Sequence, residues 1–295
     1  MSVAKASFVV PAAERAAWED ALEERLGDAG VVVTSCEISR DGPWRIEIFG
    51  EAEERRVAEA IADGARSLGL PARPWKWETL PDTDWVAENQ RSFKPFTVGP
   101  FWVHPSHVAE KEQPADTIAL RIDAGLAFGT GTHATTRGCL ELLATLGPQD
   151  VVVAVDVGCG SGILGIAMAK LWYCPVLCTD NDEDAIRVAR ENAVLNEVDP
   201  LCHFFHANGL ESAEIAAIGP FELIVANILA GPLLGLVDSF AAAVRPRGRV
   251  LLSGLLVEQA DEIVAAYGHK GFAPEHHIDL ETGGAWWRTL LLRRN

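Results

Sequence analysis

The chain has 295 residues, 48% of them hydrophobic and 23% charged, with a formal net charge of −17. That length favours two moderate cores over one, and no apolar run approaches the ~18 residues of a membrane span. The negative field disfavours direct nucleic-acid binding and suits a basic protein partner. The first fifteen residues hold one lysine and a four-residue apolar run, too short for a signal-peptide core, so a cytoplasmic location is expected. The six cysteines form no C-x-x-C pair, and the histidine pairs 104/107, 203/206 and 276/277 have no matching second cluster. Neither a disulfide framework nor a metal centre is indicated.

In chain order, residues 7–10 read as a strand and 12–26 as a helix with Trp18, Leu22 and Leu26 on one face. VVVTSCEI (31–38) and WRIEIF (44–49) read as strands around an Asp-Gly-Pro turn, 51–68 as an amphipathic helix and 72–80 as a last strand. The order β-α-β-β-α-β is the ferredoxin-like split unit, which names no function by itself. Residues 1–80 are therefore expected to form a small α+β recognition domain. Residues 81–105 are expected to be a connector with one or two helical turns. From 106 to 295 alternating apolar strands and helices predict a parallel α/β sheet.

VVVAVDVGCGSGILGIAMAKL joins a buried strand (151–157) to a helix through a glycine turn, the arrangement that sets helix-start N–H groups beside a ligand. Two readings fit. Gly160 to Gly165 spells G-x-G-x-x-G with Asp180 twenty residues on, the dinucleotide fingerprint of an NAD(P)-dependent oxidoreductase. Asp156 to Gly162 spells D-x-G-x-G-x-G and resembles the first motif of the class I methyltransferases that use S-adenosylmethionine (SAM), with Asp180 at the end of VLCTD as the second motif. A carboxylate at Asp156 would repel a pyrophosphate but can face a cationic ammonium, which favours SAM. Bonding to the glycine turn is the other role open to Asp156, and close helix–sheet packing the other role open to Gly165.

Further strands are expected at HFFHA (203–207), FELIVANI (221–228) and GRVLLSG (248–254), with an antiparallel pair from HHIDL and WWRTLLLRR closing the sheet. Gly158, Asp180 and Asn227 then all fall at carboxyl ends of strands, where open α/β sheets bind ligands. NILAGP (227–232) resembles, at its asparagine, the motif with which amine-methylating enzymes of this class accept the amine's hydrogens, although Ile228-Leu229 replace the usual Pro-Pro.

GLAFGTGTHATT, DVGCGSGILGIA, TDNDEDAI with ARENA, and VANILAGPL together resemble, in order and spacing, the bacterial ribosomal protein methyltransferase family PrmA. The resemblance implies a Rossmann-like seven-stranded methyltransferase sheet behind a ferredoxin-like substrate-recognition domain. It implies SAM as cofactor, and as substrates the lysine ε-amines and N-terminal α-amine of large-subunit ribosomal protein eleven, carried to trimethylation. By that resemblance Thr136, Gly158, Asp180 and Asn227 contact the cofactor, with Thr135, Phe128, Asp156 and Gly160 as further contacts, and Asn227 also positions the amine. Ala124 and Ala134 stand where many members have proline, which affects loop rigidity more than chemistry. The rivals are the dehydrogenase, an RNA or small-molecule methyltransferase, and a non-catalytic binding module.

Overall fold

The computed structural model describes residues 3–27, 30–38, 42–51, 53–79, 94–123, 133–147 and 151–295. It divides into two compact units, Met1–Trp85 and Val86–Asn295.

The first unit is a four-stranded antiparallel sheet in the order β2-β3-β1-β4, built from β1 (Ala4–Val10), β2 (Val31–Glu37), β3 (Trp44–Gly50) and β4 (Trp75–Thr79). Two helices, α1 (Arg15–Leu26) and α2 (Glu54–Ser67), connect them in the β-α-β-β-α-β order expected. Strict alternation along β1 sends Ala4, Ala6, Phe8 and Val10 inward. Ala6, Phe8 and Val10 share a core with Trp18, Leu22 and Leu26 of α1, with the Phe8 and Trp18 rings edge to face at 4.9 Å. Gly64 of α2 lets Trp18 approach, since a Cβ there would sit 3.1 Å from the indole.

In the second unit the stretch expected as connector is partly built structure. β5 (Phe96–Val98) and β6 (Phe101–His104) join β7 (Ile118–Arg121) in a small sheet, and Val98, Phe101 and Val103 are buried in that unit's core. Their short aromatic-rich runs lack the length that separates a strand from a loop in sequence. The helical turns expected between 81 and 93 lie outside the described residues.

The main sheet has seven strands in the order β10-β9-β8-β11-β12-β14-β13. These are β8 (Ala154–Val157), β9 (Val176–Asp180), β10 (Cys202–His206), β11 (Phe221–Asn227), β12 (Val244–Leu256), β13 (Phe272–Thr282) and β14 (Ala285–Arg294). The first five are parallel and the last two antiparallel, as the tail residues led us to expect. Helices α3 (Ala134–Leu143), α4 (Ile163–Trp172) and α5 (Glu183–Leu195) cover one face. The helices α6 (Ala213–Ile218), α7 (Ala230–Gly235), α8 (Val237–Ala243) and α9 (Ala260–Gly268) contribute to the other. Burial on both sides explains why β8, β9 and β11 read as near-continuous apolar runs. β12 is longer than expected. The Pro246-Arg247-Gly248 turn lies inside it as a bulge, where pairing with β11 jumps from Phe221–Val244 to Leu223–Arg249 and Arg247 takes φ +64°.

Sequence order reverses direction between β8 and β11, which opens a crevice at the carboxyl ends of β9, β8 and β11. Gly165 lets α4 lie close over this part of the sheet: a Cβ there would stand 2.5 Å from Cys178 Sγ and 3.5 Å from Asp156 Oδ2. Both neighbours are buried and cannot yield cheaply. Gly165→Ala should lower the thermal midpoint by an amount corresponding to roughly 1–3 kcal/mol. An unchanged midpoint would show that the helix can lift from the strand without penalty.

Candidate active site

The turn after β8 is made by glycines at positive φ: Gly158 (+70°), Gly160 (+53°) and Gly162 (+80°). Space forces glycine as firmly as conformation does. A Cβ on Gly158 would come within 2.4 Å of Ile228 Cγ2, and one on Gly162 within 2.9 Å of the Ala189 Cβ. Most of the turn's N–H groups are spent inside the chain. Gly158 and Cys159 donate to Thr179 O at 2.8 and 3.0 Å, and Gly162 donates to Cys159 O at 2.8 Å. Gly160 donates to Asp180 Oδ2 at 2.9 Å. These four donors are therefore not presented to an anion, as a pyrophosphate would require.

Asp180 ends β9 and is half-buried; its other oxygen accepts the N–H of Asp182 at 3.0 Å. Asp182 in turn caps α5 by accepting the Asp184 N–H at 2.9 Å. Further along α5, Asn192 donates to Ser161 O at 2.9 Å, holding the glycine turn from the helix side.

Asn227 ends β11, and its side-chain Nδ2 donates to Thr136 Oγ1 at 3.3 Å. Thr136 lies in the first turn of α3, whose cap is His133. The His133 Nδ1 lies 2.9 Å from Thr135 Oγ1 and accepts the Thr135 N–H at 3.4 Å. Burial lowers the His133 pKa from its ordinary value, which favours the neutral ring. Ser253, buried on β12, donates to Thr135 O at 3.3 Å and pairs with Thr289 Oγ1 at 2.8 Å, so α3 is anchored to two strands.

These groups surround a hollow of about 610 Å³ that contains Thr135, Thr136, Gly158, Gly160, Asp180 and Asn227 in its wall. A second hollow of about 370 Å³ shares Gly158, Asp180, Asn181, Ile228 and Pro232 with it, and adds Ala207, Asn208 and Gly209. The Asp180 carboxylate thus borders both.

Of the residues singled out from sequence, Asp156 does not line either hollow. It is 1% exposed, and its Oδ2 accepts the Gly165 N–H at 2.9 Å, tying β8 to α4. Phe128 lies outside the described residues. The wall also contains residues that the motifs did not single out: His133, Ile163, Leu164, Leu229, Gly254 and Trp287. His133 was within a quoted motif and could have been found there. Trp287 comes from the antiparallel tail, and only the sheet order brings it to this crevice.

Sequence comparison decides the family. The pattern described as "Ribosomal protein L11 methyltransferase (PrmA)" matches residues 17–294. The chain belongs to the PrmA family. Curated relatives of that name include proteins from Brucella suis, 38% identical over 95% of this chain and 97% of its own length, and Rhizobium meliloti, 39% identical over 90% of each. Among solved structures, a ribosomal protein L11 methylase from Lactobacillus delbrueckii subsp. bulgaricus aligns with a TM-score of 0.58. It is 31% identical and covers 69% of this chain and 100% of its own. Membership of the PrmA family makes the protein a methyltransferase, and with it the dehydrogenase reading of the glycine turn gives way. No helix among the described residues is long and apolar enough to cross a membrane.

Burial pushes the Asp156 carboxyl up to about 7 from its ordinary 3.8, against the opposing hydrogen bond from Gly165. Between these values the folded protein holds a proton that the unfolded chain has released, so this group's contribution to stability falls as pH rises through that window. Asp156→Asn keeps an acceptor for Gly165 and removes the titration. Its stability relative to the parent should therefore rise by a few kcal/mol between about pH 4 and about pH 7. Denaturant unfolding of both proteins across that range checks this, and a pH-independent difference would contradict it.

Proposed function

We propose that the protein transfers methyl groups from S-adenosylmethionine to amino groups of ribosomal protein L11: lysine ε-amines and the N-terminal α-amine, to trimethylation. The observation that carries this reading is the convergence of three strand-end groups, the glycine turn, Asp180 and Asn227, on one crevice. The donor set fits the cofactor. Asp180 would accept the ribose hydroxyls where the two hollows meet. The Gly158–Gly160 backbone would pack on the methionyl part, and Ala207–Gly209 would border the base. Thr136 and Thr135 would lie at the reacting end, and Phe128 is a further contact proposed from the family resemblance. Asp156 would act through the turn it braces. Bound there, the cofactor supplies a methyl group on a cationic sulfur.

The chain's own part is to present an amine. The Asn227 amide N–H is taken up by Thr136, which leaves Oδ1 to accept a hydrogen from the incoming nitrogen and aim its lone pair. The described wall offers no base for the amine's proton. Its one carboxylate, Asp180, would be taken up by the ribose hydroxyls besides the two N–H groups it accepts, and His133 Nδ1 is engaged at the helix cap. A lysine of pKa about 10.4 would therefore release its proton to water before alignment, helped by the neighbouring sulfonium and the partly dry hollow. The first unit would recognise the substrate, the connector would let it present different amines, and the acidic surface suits a basic ribosomal protein. A cytoplasmic location fits this role.

Incubating purified L11 with the protein and SAM should add mass in whole methyl increments. Asp180→Ala should abolish the gain together with SAM binding. Asn227→Ala should slow transfer about a hundredfold, well beyond whatever SAM affinity it loses as a cofactor contact. No gain with SAM still bound by the parent protein would discard L11 and keep the methyltransferase.

A further inference from the structure

The larger hollow has an aromatic and aliphatic wall that the cofactor contacts leave unassigned: Trp287, His133, Leu229 and Pro232. Trp287 lies on β14, opposite Leu256 of β12 on one side and Leu280 of β13 on the other. Its neighbours in sequence fix it. Arg288 forks onto Asp279 at 2.7 and 2.6 Å on one face of the sheet, and Thr289 bonds Ser253 on the other. Thr289 also touches α3, where a Cβ on Gly138 would come within 2.4 Å of its hydroxyl. The same strand face carries Trp287, whose ring meets the cap residue His133 edge to face at 4.9 Å. The indole is thus held by three strands and a helix start. Beside it Leu229 is 67% exposed, an apolar lip for the aliphatic stem of a lysine.

The charge balance of this wall matters for a cationic product. Asp180 is the one carboxylate among the described lining residues; each of its oxygens accepts one backbone N–H, and its remaining lone pairs are those proposed above for the ribose hydroxyls. With the Asp180 carboxylate assigned to the cofactor, the group in this wall suited to an ammonium is the Trp287 indole. Aromatic faces attract cations, tryptophan most strongly, and methylated ammonium is weakly hydrated and loses little on leaving water.

We propose that Trp287 is a specificity-determining residue that holds the methylated ammonium of the substrate between transfers, so that mono- and dimethylated side chains stay for the next one. This rests on the amine-methylating reading above. In each round the amine lone pair forms the new N–C bond as the C–S bond breaks, and that electron pair passes to sulfur. The resulting ammonium sheds one proton to solvent before it can react again, until the third methyl leaves a quaternary nitrogen with none to lose.

Two readouts test it on the full-length protein. By calorimetry with S-adenosylhomocysteine present, the parent should bind a trimethyllysine peptide about fivefold more tightly than its unmethylated form, and Trp287→Leu should erase that preference. By mass spectrometry of L11, the parent and Trp287→Phe should pass quickly to trimethylated product. Trp287→Leu, with SAM affinity unchanged, should accumulate mono- and dimethylated forms. No peptide preference in the parent, or the same methyl distribution from Trp287→Leu, overturns the role of Trp287. A parent that leaves L11 unmodified counts instead against the function proposed above.

Discussion

The hydrogen bond from the Gly160 N–H to the Asp180 carboxylate joins the ends of two neighbouring strands, and the rest of the site is built on it. It fixes the glycine turn against β9 and turns one carboxylate oxygen toward the chain. The second oxygen is held through Asp182, which also starts α5. α5 then reaches back through Asn192 to Ser161. A closed loop of polar contacts within the chain therefore sets the turn's shape.

The same bonds decide what the turn can hold. A dinucleotide site spends helix-start N–H groups on pyrophosphate, whereas here four N–H groups of the turn are satisfied by Thr179, Asp180 and Cys159. A zwitterionic or cationic ligand that packs on the glycine backbone is the better match. The second anchoring system runs through α3: Thr136 orients Asn227, Ser253 holds Thr135, and Thr289 holds Ser253. The two anchoring systems thus hang from different strands, β8–β9 and β11–β12–β14, and meet at one crevice.

Much of this was legible in the sequence. Glycine turns at positive φ, the cap at Asp182 and the alternation in β1 are local, and local chemistry writes itself into residue type. The parallel sheet and its antiparallel closure followed from run lengths and order. What remained hidden depends on contacts far apart in the chain. Trp287 lines the hollow only because β14 inserts between β12 and β13, and nothing near it in sequence signals a ligand. Asp156 shows the converse. Its motif position suggests a ligand contact, but the close approach of α4 at Gly165 makes it a brace within the core. The strands between Phe96 and His104 are not legible in the sequence, because pieces of three and four residues carry too little pattern to separate them from a connector.

We propose that the crevice at the ends of β8, β9 and β11 takes a sulfonium cofactor and not a dinucleotide. Calorimetric titration of the purified protein with SAM, S-adenosylhomocysteine and NADH tests it most directly, with Asp180→Ala alongside. Saturable binding of the first two, lost in the variant, is the expected result, with none of NADH. Binding of NADH in competition with SAM, or SAM binding indifferent to Asp180, would contradict it.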